Sequence, residues 1–152
     1  MKNILLGVLS CLYLLGCQSD SNSPIAEKFG DIFQIKSGEE AWLSGASAKS
    51  DLKVIVESIT DSRCPEGVTC IWAGNAQVKL TLSDAGDRQE VDLCIGSCYL
   101  EGDQYGSFTE QDTISVTVAS QHYEVILKAV LPYPTQDNST AEKEAVLEIS
   151  PN

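Results

Sequence analysis

Six cysteines and a single histidine are the residues of this chain with the most distinctive chemistry. Four of the cysteines form two close pairs in the sequence, Cys64 with Cys70 and Cys94 with Cys98. In an exported chain an even number of cysteines favours disulfides, although four cysteines allow three pairings. We predict the two local pairings, because each pair flanks a short loop that contains proline or glycine. Closing the first loop would contribute roughly 2 kcal/mol to stability in the chain-entropy model.

The same thiols suggest two alternative kinds of site. Zinc could be held by all four cysteines, although their spacing differs from the usual paired zinc knuckles. A thiol-redox or copper/zinc protein could use Cys94, Cys98 and His122, which requires these three side chains to meet in space. We expect no metal and no cofactor, and we interpret His122 as a surface residue at a strand start.

The least random part of the sequence is DSRCPEGVTCIWAGNA, residues 61–76. It predicts a strand end, a loop stiffened by Pro65, a turn at Gly67, and then Trp72 leading into the next strand. We expect the Trp72 ring to cover one end of the core, with the first disulfide packed against it. Because loops at one end of a sandwich commonly carry recognition, this is the candidate binding loop. Its candidate residues are Arg63, Pro65, Glu66 and Trp72.

Two roles are open for Arg63. The Arg63–Cys70 loop could present Arg63 or its neighbours to a secreted protease, and the protein would then be a protease inhibitor. The other role is a salt bridge to Asp61 or Glu66, which we favour on general grounds.

The segment resembles a widespread group of small secreted or lipid-anchored bacterial proteins of unknown function, which carry a D-S-R-C-P-x-x-V-x-C-x-W-x-G-x-A signature. Gly38-Glu39 and Pro132-Tyr133-Pro134 are also similar to that group, so the resemblance covers Phe33 to about Ile149. It implies a secreted or lipid-anchored domain and carries no activity with it. Cys94 and Cys98 are not part of the signature.

The N-terminus has the pattern of a removable leader. Lys2 precedes an aliphatic stretch from Ile4 to Leu15 of about a dozen residues, whereas a membrane-spanning helix needs roughly 20. The sequence Leu14-Leu15-Gly16-Cys17 resembles the lipobox of bacterial lipoproteins. This resemblance implies cleavage after Gly16 and lipid on Cys17, where two or three acyl chains give a stable anchor.

We therefore predict a signal peptide over residues 1–16, the lipidated cysteine with a flexible tether over 17–28, and one domain over 29–152. Gln18 stands where aspartate would, by analogy with lipoproteins, favour retention at the inner membrane. We accordingly expect attachment to the outer membrane, on its periplasmic or surface face. The expected partners are that membrane, reached through the lipid on Cys17, and an envelope or extracellular protein.

Charge and motif content narrow the function. Cleavage removes one of 10 basic residues, which leaves 9 against 22 acidic residues and a net charge of −13. Such a surface repels nucleic acid, so we exclude nucleic-acid binding. With one histidine and no nucleophile-elbow, zincin or phosphate-loop motif, we expect no enzyme. A non-catalytic binding or structural module at the cell envelope is the function that remains.

A calcium loop is a weaker alternative. The spacing of an EF-hand loop is matched in part, but position 5 is a tyrosine, position 12 lacks the bidentate glutamate, and no helices flank it. The residues concerned are Glu101, Asp103, Tyr105, Gly106, Ser107, Thr109 and Asp112.

Period-two alternation of apolar and polar residues predicts strands along the chain. The clearest are 77–83 and 114–118, while 52–59 and 123–131 are apolar on both faces, as central strands are. Shorter candidates raise the number to about eight, and they are 32–36, 40–43, 90–94 and 145–149. We predict an all-β fold, a two-sheet β-sandwich of immunoglobulin-like type, with a small β-barrel as the alternative.

Overall fold

The structure, a computed structural model, describes residues 24–99, 107–138 and 140–152. Within these ranges the alternating segments form ten strands. The predicted leader, Cys17 and residues 101–106 of the calcium alternative lie outside these ranges. The strands are β1 (Ile25–Lys28), β2 (Ile32–Lys36), β3 (Glu40–Ser44), β4 (Leu52–Asp61), β5 (Asn75–Asp84), β6 (Asp87–Cys98), β7 (Ser107–Thr109), β8 (Asp112–Val118), β9 (Gln121–Leu131) and β10 (Glu144–Pro151).

The strands are arranged in two sheets. The larger has the order β1-β3-β4-β5-β6-β7, and the smaller has the order β2-β10-β9-β8. Every pairing is antiparallel except that of β1 with β3. The predicted two-sheet sandwich is confirmed, and the barrel alternative is wrong, because the sheets do not close on each other. Strands β3 to β6 are neighbours in chain order, whereas an immunoglobulin domain interleaves its strands between sheets.

The core lies between the two sheets and follows from the alternation. Along β5, the side chains of Ala76, Val78 and Leu80 are buried, while Gln77 and Lys79 between them face solvent. In the smaller sheet, β9 and β10 contribute the buried Val125, Leu127, Leu147 and Ile149. The apolar residues thus form one continuous cluster shared by both sheets.

All eight predicted strands are present, and two more were not predicted. The prediction of a tether over 17–28 is wrong for residues 25–28, because Ile25–Lys28 form β1 beside β3. The physical reason is that Ile25 packs against the core as a partly buried side chain. Strand β7 was missed because it has only three residues. No helix in the described ranges is long and apolar enough to cross a membrane.

The sandwich has two chemically different ends. At one end, which we call the disulfide end, lie the β4–β5 connection, the end of β6, the β7–β8 turn and the β9–β10 connection. A hydrogen bond from the Glu66 N–H to the Pro134 carbonyl and one from Ser97 N–H to the Gly74 carbonyl join these segments. The opposite end, which we call the far end, carries the β3–β4, β5–β6 and β8–β9 connections.

The sandwich predicts a strong contrast between adjacent residues of β5. Replacing the fully buried Leu80 with alanine should lower the free energy of unfolding by about 3 kcal/mol, because a cavity is left in the core. Replacing its exposed neighbour, Lys79, with alanine should change it by less than about 0.5 kcal/mol. Urea unfolding measures both, and a loss at Lys79 as large as that at Leu80 would contradict this register.

Candidate binding surface at the disulfide end

Both predicted disulfides are present. Cys64 is bonded to Cys70 in the β4–β5 connection, and Cys94 is bonded to Cys98 within β6. The Cα atoms of Cys94 and Cys98 are only 6.0 Å apart, although four residues of extended strand would span about 13 Å. The strand therefore bends sharply between them, at Gly96, which has a φ of +95°. The bend takes β6 from its pairing with β5 to its pairing with β7.

Backbone hydrogen bonds close the β4–β5 connection across its base. The Ser62 N–H donates to the Asn75 carbonyl at 2.7 Å, and the Cys64 N–H donates to the Ala73 carbonyl at 2.8 Å. The Glu66 N–H reaches across to the β9–β10 connection and donates to the Pro134 carbonyl at 2.9 Å. Together with the disulfide, these bonds hold the loop from both sides.

Arg63 forms a buried ion pair with Asp61. Its Nε donates to Asp61 Oδ1 at 2.8 Å and its Nη2 donates to Oδ2 at 2.7 Å, while the side chains are only 9% and 2% exposed. Nη2 also donates to the carbonyl of Val130 at 2.6 Å, and the guanidinium lies 4.5 Å above the centre of the Tyr133 ring. The predicted salt bridge is confirmed with Asp61 as the partner, and Glu66 is exposed.

The environment of Asp61 lowers its pKa. Burial alone raises the pKa of this carboxyl, but hydrogen bonds from the Arg63 side chain and backbone and the charges of Arg63 and Lys143 outweigh that effect. Lys143 lies 3.4 Å from Asp61 Oδ2 and donates to the Pro132 carbonyl at 2.7 Å. Asp61 is therefore an anion at neutral pH, with two cations around it.

This burial argues against Arg63 as the residue that an inhibitor would present, whereas the hypothesis that its loop neighbours are presented stays a prediction. A protease that recognises arginine needs an extended, solvent-exposed side chain to fill its pocket. The Arg63 side chain points inward, where its guanidinium donates hydrogen bonds to the Asp61 carboxylate and the Val130 carbonyl. The Arg63–Cys70 loop does not present it.

The expected position of Trp72 is wrong. Its side chain is 51% exposed, and its neighbour Ile71 is 108% exposed, so neither covers the core. The buried pair of Asp61 and Arg63 occupies the end of the sandwich instead, with Tyr133 against the guanidinium. The tip of the loop therefore extends beyond the strands into solvent.

Large apolar side chains are concentrated at the disulfide end. Of the nine that are exposed in the described ranges, seven belong to this end, and we call them the apolar cluster. Its members are Val68, Ile71, Trp72, Tyr99, Phe108, Leu131 and Tyr133. Phe108 and Tyr133 line a pocket of about 240 Å³ together with Gly74 and Gly96, while Tyr99 borders a separate pocket beside Gln77 and Asp92. Such a concentration of exposed apolar surface marks an interaction site in soluble domains.

Two glycines permit the close packing beneath the cluster. At Gly74, with a φ of +70°, a Cβ atom would lie 1.9 Å from the Ser62 carbonyl oxygen. At Gly96, a Cβ atom would lie 2.7 Å from the Gly74 carbonyl oxygen. Gly74 therefore allows the two sides of the β4–β5 connection to approach each other, and Gly96 allows the β6 bend to approach that connection.

The three residues of the redox or metal alternative, Cys94, Cys98 and His122, do not lie together. The Cys94 N–H donates to Asp112 Oδ2 at 2.8 Å, and Asp112 pairs with Leu127 of β9. His122 lies five residues before Leu127, toward the far end, where its ring contacts the Thr117 hydroxyl at 2.7 Å. His122 is thus separated from Cys94 and Cys98 along the sandwich. Within the described ranges, no three His, Cys, Asp or Glu residues are grouped to hold a metal ion.

No family model, no curated protein and no solved structure matches this chain. The resemblance to the group that carries the D-S-R-C-P signature stays a prediction. What the structure adds is a physical role for the signature residues. The aspartate and arginine pair in the interior, the cysteines close the loop, the glycine permits backbone contact, and the tryptophan is exposed.

The Asp61 pair predicts a pH-dependent difference in stability. Asp61→Asn should lower the free energy of unfolding by about 3 kcal/mol at pH 7, because it leaves the buried Arg63 charge without its anion. Because the folded-state pKa of Asp61 is lowered, its stabilising contribution is present above the ordinary aspartate pKa of about 3.9 and is lost as the pH falls below it.

The stabilities of the parent protein and Asp61→Asn should therefore converge between neutral and strongly acidic pH in urea unfolding. Asp92→Asn is the matched control, since Asp92 is exposed and lies 3.7 Å from Lys79, and it should have little effect. A difference between the parent and Asp61→Asn that is independent of pH would contradict a charge-based role.

The glycines provide a second test. Gly67 and Gly74 both have positive φ, at +76° and +70°, but only Gly74 has backbone atoms in the way of a Cβ atom. Gly67→Ala should cost about 1 kcal/mol from its backbone conformation alone. Gly74→Ala should cost at least about 3 kcal/mol, because the clash adds to that cost. Equal melting temperatures for the two variants would show that the loop base is not closed as described.

Proposed function

We propose that the protein is a lipid-anchored, non-catalytic binding module of the cell envelope, attached through Cys17 and binding through its disulfide end. The observation that carries the proposal is the apolar cluster, seven large exposed side chains at the same end of a frame that is held by two disulfides and a buried ion pair. Exposed apolar surface gains free energy when a partner covers it.

The rigidity of the frame supports binding. A surface that is ordered before it meets its partner loses less conformational entropy on association than a flexible one. Here the β4–β5 connection is fixed at Cys64, at Glu66 and at Arg63 by a disulfide, an inter-loop hydrogen bond and an ion pair. Ile71 and Trp72 are therefore presented from a fixed base, although both are exposed.

The charged residues of the motif support a non-catalytic role. Asp61 and Arg63 are the acidic and the basic residue of the motif whose side chains are buried, and each is hydrogen-bonded to the other. Their pairing leaves neither positioned to transfer a proton to a substrate in the pocket. Their contribution is to hold the surface together.

The disulfides are compatible with the proposed location. Two disulfides in a small domain suit an oxidising compartment outside the cytoplasm. An outer-membrane lipoprotein has its domain in such a compartment. The lipid on Cys17 would hold the domain at the membrane.

Mass spectrometry of the protein purified from its native membrane tests the anchor. The parent protein should begin at Cys17, with residues 1–16 removed and a diacylglycerol on the thiol. Cys17→Ser should carry no lipid and should keep its leader. Cys11→Ser is the matched control, because Cys11 lies within the predicted leader, and its product should be identical to the parent. A mature parent protein with a free Cys17 thiol would contradict the proposal.

A further inference from the structure

The two ends of the sandwich would meet very different surroundings. At the disulfide end, the apolar cluster includes three aromatic side chains that are at least half exposed, Trp72, Tyr99 and Phe108. At the far end, the connections and the strand ends beside them carry mainly small and charged residues, such as Asp51, Asp84 and Asp87. The remaining exposed large apolar side chains of the described ranges are Ile32 on β2 and Trp42 on β3, and Trp42 borders a pocket with these three aspartates. The disulfide end is therefore the more apolar of the two.

The direction of β1 shows from which side the chain enters the domain. Ile25 pairs with Ala41 and Lys28 pairs with Ser44 in the parallel pairing of β1 with β3. Strand β3 is antiparallel to β4, which runs toward the disulfide end and finishes at Asp61. Ile25 is therefore the end of β1 nearer to the disulfide end. The chain enters from the same side as the apolar cluster.

The length of the preceding segment sets how far the anchor can lie from the domain. Ala41 is paired with Val54, which is seven residues from Asp61 along β4, or roughly 23 Å. Cys17 is eight residues before Ile25, so the chain between them spans at most about 28 Å. Cys17 can thus lie level with Asp61. The loop residues beyond Asp61, Ile71 and Trp72 among them, then reach the membrane surface.

We infer that the partner of the disulfide end is the lipid surface that carries the anchor, and that the apolar cluster seats in its interfacial region. This inference rests on the proposed function, because it requires the lipid on Cys17. The aromatic rings of tryptophan and tyrosine favour the headgroup level of a bilayer, where an apolar body and a polar edge are both accommodated. A soluble partner would have to enter between the domain and the membrane to cover the same surface.

The charges at this end select the type of lipid. Glu66 and Glu110 are exposed beside the cluster, and the cation nearest to the loop, Arg63, is buried in its ion pair. With a mature net charge of −13, the domain is repelled by anionic headgroups. The surface therefore suits zwitterionic phospholipids, such as phosphatidylethanolamine and phosphatidylcholine. Binding comes from apolar contact and from the anchor, without electrostatic attraction.

The two tryptophans give a matched experiment, because Trp72 belongs to the cluster and Trp42 lies on β3, opposite Lys53. Full-length lipidated protein is reconstituted in phosphatidylcholine and phosphatidylethanolamine vesicles, with or without bromine on the acyl chains. Trp42→Phe leaves Trp72 as the reporter, and Trp72→Phe leaves Trp42. Bromine should reduce Trp72 emission at least about twofold and leave Trp42 emission nearly unchanged, because only Trp72 reaches the acyl boundary.

A second variant guards against a local effect at Trp72. Adding Ile71→Ser to Trp42→Phe should weaken the quenching of Trp72, since it removes the most exposed apolar side chain of the tip. Near-UV circular dichroism checks that the domain is folded. Quenching that requires anionic lipid would overturn the assignment to zwitterionic headgroups.

The remaining outcomes separate the inference from the proposed function. If the same sample carries lipid on Cys17 but Trp72 is not quenched, the inference is wrong and the anchor stands. If Trp72 becomes shielded from acrylamide only in native membranes and not in vesicles, a protein covers the cluster and the inference is again wrong. If Cys17 carries no lipid, both the proposed function and the inference fail.

Discussion

The buried ion pair between Asp61 and Arg63 joins the two sheets at one end of the sandwich. Asp61 is the last residue of β4 in the larger sheet, while the Val130 carbonyl that accepts from Arg63 belongs to β9 in the smaller sheet. Breaking such a pair is costly because it leaves a buried charge without compensation, even where the intact pair adds little over an apolar contact. We interpret the pair as a device that fixes geometry: it sets where the β4–β5 and β9–β10 connections meet.

The exposure of the apolar cluster follows from this constraint. Asp61, Arg63 and the ring of Tyr133 occupy the end of the sandwich where Trp72 was expected, and Trp72 lies outside them, half exposed. The first disulfide and the contact from Glu66 to Pro134 then prevent the loop from folding back. A charged interior and an apolar exterior are thus two results of one arrangement. Preorganised exposure of this kind is what a binding surface needs.

Local pattern was sufficient to predict most of the sandwich. The alternation along 77–83 and 114–118 reports directly which side chains face the core, and the short Cys64–Cys70 and Cys94–Cys98 loops restrict their pairing. Strand β1 carries too few apolar residues to show a period, and it forms because β3 is beside it. The salt bridge from Arg63 to Asp61 could be predicted from the sequence because the two residues are only two positions apart.

The other partners of Arg63 could not be predicted in the same way. Val130 is 67 residues away in sequence, and its contact depends on how the sheets pack. Trp72 illustrates the same limit: a large apolar side chain in a loop has no periodicity to show whether it faces the core or solvent. Residue type favoured the core, but in the structure the ion pair occupies that end and Trp72 is half exposed.

Amide hydrogen exchange of Glu66 tests most directly whether one fixed arrangement holds the disulfide end. This N–H belongs to the β4–β5 connection and donates to the Pro134 carbonyl of the β9–β10 connection at 2.9 Å. Its exchange therefore reports on the place where the two connections meet. We expect its exchange to be slowed to a degree comparable with the Val56 amide of β4, which donates to the Glu39 carbonyl. Exchange of Glu66 at the rate of an unstructured peptide would show that the loop moves independently, and would contradict a preorganised binding surface.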